Sequence, residues 1–219
     1  MTVEERLVVT IVSHGRSERC QGICNHLREA PKLHPDAERK VIGFANTLAS
    51  RAHLLGMTHL HLRTSRWSPA VRTMRIIGTV ADRSGLRPVN LWWERQLEPV
   101  PLRHRQAKLR ESDPWQRWIE DPNTAKLFTL LYGYAKEEHG ADVHLVLVTH
   151  DLLTAYLHAM VRGEDTGGVS SGDGLELTRT TDGDLCCAGE YLDGQFWGFD
   201  TPRAPSLLAR YREKMMWDL

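Results

Sequence analysis

His14 and His150 each stand just past a short, mainly apolar run, the mostly β-branched Leu7 to Val12 and the stretch His144 to Val148. Such runs suit strands buried on both faces of a parallel sheet, and open α/β sheets bind ligands just past the carboxyl ends of their strands. Gly15, directly after the first histidine, lets the backbone turn sharply and approach a ligand. A third alternating stretch, His59 to Arg63, leads through Ser68-Pro69 to Arg72 in the first turn of a predicted helix. Taken singly, His14 is equally a turn residue and Arg72 equally a surface arginine. Together they are placed for one reaction type. An imidazole can attack a phosphoryl group while a second imidazole and a guanidinium hold its oxygens, and a carboxylic acid then protonates the leaving oxygen.

The elements that must carry these residues are legible in the pattern. A helix is expected over Ser17–Arg28 and another from Pro35 or Asp36 to Gly56, with acids in its first turn and Val41, Phe44, Ala45, Leu48 and Ala49 on one face. Ser68 followed by Pro69 reads as an N-cap and first-position proline, opening a helix to about Arg83 whose N-terminus suits an anion. A short strand is expected over Leu86–Leu91, a helix from Pro122 to His139 closed by Gly140, and a helix over Leu152–Arg162. Leu175–Thr180 and Leu185–Ala188 read as a hairpin around Asp182-Gly183, and Pro205–Met216 as a final helix. Gly168-Val169-Ser170-Ser171-Gly172 matches the serine-hydrolase elbow in letters only, since no strand precedes it and no helix follows.

Composition narrows the classes. Lys+Arg and Asp+Glu are 28 each, so no net field draws nucleic acid or an anionic membrane. The 219 residues suit a single domain, 1–219, with a cap insertion at about 100–122. The first apolar run is too short for a signal peptide or membrane span, so a cytoplasmic protein is expected. Cys20, Cys24, Cys186 and Cys187 lack zinc-ligand spacing; reduced, mostly buried thiols and no metal are expected.

In the order and spacing of these features the chain resembles the histidine phosphatase superfamily, the phosphoglycerate mutase-like proteins. The resemblance lies in Ser13-His14-Gly15-Arg16-Ser17-Glu18, Leu33-His34-Pro35-Asp36-Ala37, Ser68-Pro69-Ala70-Val71-Arg72-Thr73, Leu97-Glu98 and Thr149-His150-Asp151. It implies a three-layer α/β/α sandwich with a mostly parallel central sheet. It also implies that His14 is the nucleophile forming a phosphohistidine, that Arg72 and His150 bind phosphoryl oxygens with Ser17 nearby, and that Glu98, or Glu94, donates the proton. No cofactor is implied, and the substrate would be a small phosphorylated metabolite; a homodimer stays open.

Three departures weaken the cradle. Ser13 stands where the family has its first phosphate-binding arginine, Cys20 where many members have asparagine, and Asp151 where a small residue is usual. A lost charge-assisted contact costs on the order of 1.5–3 kcal/mol. Arg16, Arg19 or Arg66 could substitute, and Ser13→Arg is expected to raise turnover if the pocket is otherwise competent. A phosphoric monoester hydrolase is the first reading. The alternatives are a catalytically impaired relative kept as a ligand- or partner-binding module and, further off, a phosphoglycerate-type mutase.

Overall fold

In a computed structural model of the chain, residues 6–17, 32–98, 122–137, 142–162 and 169–203 are described. They begin with β1 (Leu7–Ser13), α1 (Pro35–Leu54), β2 (His59–Thr64), α2 (Ser68–Arg83) and β3 (Arg87–Trp93). A single 3-10 turn, Arg95–Leu97, follows. After it come α3 (Pro122–Lys136), β4 (Val143–Thr149), α4 (Asp151–Arg162), β5 (Gly174–Arg179), β6 (Leu185–Leu192) and β7 (Gln195–Arg203).

The seven strands form one sheet in the order β3-β2-β4-β1-β5-β6-β7. β3, β2, β4 and β1 run parallel; β5, β6 and β7 continue from β1 antiparallel. β1 is buried along its whole length because both faces are covered. Leu7, Val9 and Ile11 join a core with Leu127, Leu131 and Leu157 from α3 and α4. Val8 and Val12 face the opposite core, with Phe44 and Leu48 of α1 and Met74 and Ile77 of α2. Burial of side chains this size stabilises by about 1.5–3 kcal/mol each, and two covered faces explain why no strict alternation was visible in β1.

Between those apolar layers run paired polar groups. Arg51 donates to the fully buried Glu176, which also accepts from Tyr191 Oη at 2.8 Å. Glu190 accepts from His158 Nδ1 at 2.8 Å and from Arg162, joining α4 to β6. Thr10 Oγ1 and His144 Nε2 meet at 2.9 Å across β1 and β4.

The mixed sheet between helical layers agrees with the expected α/β class. Its limits differ in detail. The expected Leu86–Leu91 strand lies at Arg87–Trp93, where a bulge between His61 and Arg63 shifts its register against β2. Pro88 is accommodated because β3 is an edge. The hairpin continues to Leu192, and β7 was not anticipated. The segments expected as a Ser17–Arg28 helix, the cap at about 100–122 and the Pro205–Met216 helix lie outside the described residues, apart from Ser17 and Pro122; so do Cys20 and Cys24. Cys186 and Cys187 are free and buried, and burial pushes the Cys187 thiol up to about 12. Among the described residues no helix is long and apolar enough to cross a membrane.

Candidate active site

The register of two strands builds the site. Ser13 of β1 sits opposite Thr149 of β4 in a parallel pairing, so the next residues, His14 and His150, leave the sheet side by side. The His14 backbone N–H donates to Thr149 O at 3.0 Å, which extends the ladder by one more bond. His14 Nε2 then lies 3.1 Å from His150 Nδ1, with the rings edge to face at 4.9 Å between centroids.

Each histidine is held from its other side. His14 Nδ1 lies 3.0 Å from the Gly15 carbonyl, which can only accept, so Nδ1 carries the proton and Nε2 the lone pair. Gly15 N–H donates to Thr73 Oγ1 at 2.9 Å, tying the turn to α2. A Cβ at Gly15 would meet Leu33 Cδ1 at 2.5 Å. His150 Nε2 meets Ser65 Oγ at 3.1 Å, and the Trp67 ring stands at 86° to it, 5.7 Å away.

The two departures nearest the histidines turn out to touch. Ser13 is fully buried, and its hydroxyl donates to Asp151 Oδ1 at 2.5 Å. Asp151 is the first residue of α4. It lies beside His14 on the wall of a cavity of about 620 Å³ that also takes Arg16, Ser17, His34 and Lys40. Arg16 N–H donates to Ser171 Oγ at 3.2 Å, fixing the cavity's far rim.

Arg72 and Glu98 are less directly placed. α2 begins at Ser68 with Trp67, not Ser68, as its N-cap, so Arg72 is its fifth residue, and its Nη2 donates to Glu38 Oε1 of α1 at 3.2 Å. Its Nε is buried with no hydrogen-bond partner. Glu98 accepts from Arg66 through Nε and Nη2, so Arg66 is occupied there. Among the described residues neither Arg72 nor Glu98 lines the His14 cavity. Glu94 is placed by its backbone N–H, which donates to Thr64 O at 2.8 Å. Sequence reasoning missed Ser65, Thr73 and Glu38 as partners of His150, Gly15 and Arg72. The first two lie in or beside motif segments, but no spacing rule links them to their partners.

No protein-family model and no curated protein matches the chain. Solved structures do. The protein histidine phosphatase SixA complexed with tungstate superposes at a TM-score of 0.55, with 14% identity over 85% of this chain and 97% of that one. The chain has an α/β fold of the phosphoglycerate mutase-like type. The mycobacterial glucosyl-3-phosphoglycerate phosphatase is also similar, with a TM-score of 0.50 and 17% identity over 92% of this chain and 100% of that one. Within this fold, both histidines of the chain sit at the strand ends where an α/β sheet binds its ligand.

Proposed function

We propose that the chain is a phosphoric monoester hydrolase that works through a phosphohistidine on His14. The observation that carries this is the proton arrangement of the paired histidines. His14 is anchored through Nδ1, which leaves the Nε2 lone pair next to His150 Nδ1 at 3.1 Å. Nε2 attacks phosphorus, forming an N–P bond as the P–O ester bond breaks. The N–H of His150 Nδ1 passes from His14 Nε2 to a phosphoryl oxygen.

For the leaving oxygen, the reading moves from Glu98 to Asp151. Glu98 is engaged by Arg66, whereas Asp151 shares the cavity wall with His14. The Asp151 carboxyl gives its proton to the leaving alkoxide. Its carboxylate then takes a proton from the water that breaks the N–P bond and releases inorganic phosphate. A cavity of about 620 Å³ with Arg16, His34 and Lys40 on its wall is consistent with a small phosphorylated metabolite.

The test is hydrolysis of an aryl phosphate and a panel of alkyl and sugar phosphates by wild type and His14→Ala. Wild-type turnover that disappears in the variant is the expected result. Asp151→Asn should lower kcat about 10²–10⁴-fold on alkyl phosphates and far less on an aryl phosphate, whose leaving group needs no proton. Glu98→Gln should leave both nearly unchanged; the reverse pattern would return the acid role to Glu98. The negative charge of Asp151 beside the nucleophile favours a second reading, a ligand-binding module without turnover. Equal background rates in wild type and His14→Ala would select it.

A further inference from the structure

The hydrogen bonds around the two histidines form one directed chain, and its far end is a residue to which no role has yet been given. The Gly15 carbonyl requires the His14 proton on Nδ1. With both rings neutral, His14 Nε2 is then an acceptor, and the group facing it at 3.1 Å, His150 Nδ1, must be the donor. A neutral imidazole carries one proton, so His150 Nε2 has a lone pair, and Ser65 Oγ at 3.1 Å must donate to it. We infer that Ser65 is a positioning residue that fixes the tautomer of His150, and through it the free lone pair of the His14 nucleophile.

Three further observations fit this role. Ser65 is fully buried, so no bulk water replaces its hydroxyl. It is the first residue beyond β2, and Thr64 pairs with Val148 of β4, which brings Ser65 level with the His150 turn. Trp67 and His14 both stand edge to face against His150, so the ring cannot turn over to exchange its nitrogens without displacing one of them. A hydroxyl also rotates. When His150 gains a proton, Ser65 accepts from Nε2 instead of donating, and Nδ1 remains a donor throughout.

The kinetic arm of the test rests on the phosphatase reading; the spectroscopic arm does not. Nitrogen-15 imidazole spectra of the free wild-type protein, at a pH where both rings are neutral, should show His150 protonated on Nδ1 and His14 protonated on Nδ1. In Ser65→Ala the His150 signals should shift towards the Nε2-protonated form, with thermal unfolding little changed. In Ser65→Thr, which keeps the hydroxyl, they should return to the wild-type pattern. Turnover in Ser65→Ala should fall roughly 5- to 10-fold in kcat with KM nearly constant. A wild-type His150 protonated on Nε2, or a tautomer unmoved by Ser65→Ala, would overturn the inference even if the chain proves to be a phosphatase. Absence of turnover with the expected tautomers would overturn only the phosphatase reading.

Discussion

At the scale of single residues, the informative pair is Ser13 and Asp151. Each was visible in the sequence as a departure, and each alone looks like a loss: a missing cation, an added negative charge. Only the 2.5 Å bond between them shows that they are one arrangement. No spacing rule could have revealed it, because 138 positions separate the two and the β1–β4 register brings them together. The expected effect of Ser13→Arg therefore reverses. A guanidinium at this fully buried position would overpack the turn and pair with the Asp151 carboxyl, drawing it away from the leaving oxygen. Turnover on alkyl phosphates should drop at least about tenfold, by steady-state kinetics. A rise would mean that the site needs a cation more than it needs an acid.

Among the elements, what the sequence displayed depends on how each segment is buried. β1 and β4 were legible because doubly covered strands are nearly continuous apolar runs, broken here by Thr10 and His144, and α1 and α2 because their apolar faces recur at helical spacing. β7 was not. Gln195-Phe196-Trp197-Gly198 mixes exposed, half-buried and glycine positions at a sheet edge, where no pattern is enforced. The start of β5 shows how tightly the middle of the sheet is fitted. A Cβ on Gly174 would stand 2.3 Å from the backbone carbonyl of Ile11. Gly174→Ala should thus cost about 2–4 kcal/mol, read from the urea midpoint. Gly85→Ala makes the control. Its φ of +82° carries strain, but nothing lies within 4 Å, so a loss of only about 1 kcal/mol is expected.

Across the whole molecule, the polar groups sealed between sheet and helices make the fold acid-sensitive. Burial holds the His144 imidazole down at about 3, against its ordinary 6.5. The unfolded chain therefore binds a proton that the folded one refuses, and stability falls as pH drops from 6.5 towards 3. Burial pushes the Glu190 carboxyl up, but hydrogen bonds from His158 and Arg162 outweigh it and bring it down to about 2. Its contribution is complete above 4.5 and lost as pH falls towards 2, the same direction over a lower window. Denaturant midpoints measured from pH 7 to pH 3 should fall by the equivalent of a few kcal/mol. His144→Leu should flatten the upper part of that slope while leaving the lower part in place.

The pairing of Ser13 with Thr149 also has a consequence in time. His14 is synthesised 136 residues before His150, the imidazole that faces it. β1 cannot take its place in the parallel half of the sheet until β4 exists to receive it. A chain stopped anywhere before Thr149 carries His14 but no second imidazole, and an apolar first strand with no partner on that side. The histidine pair thus assembles all at once, when the middle of the sheet closes.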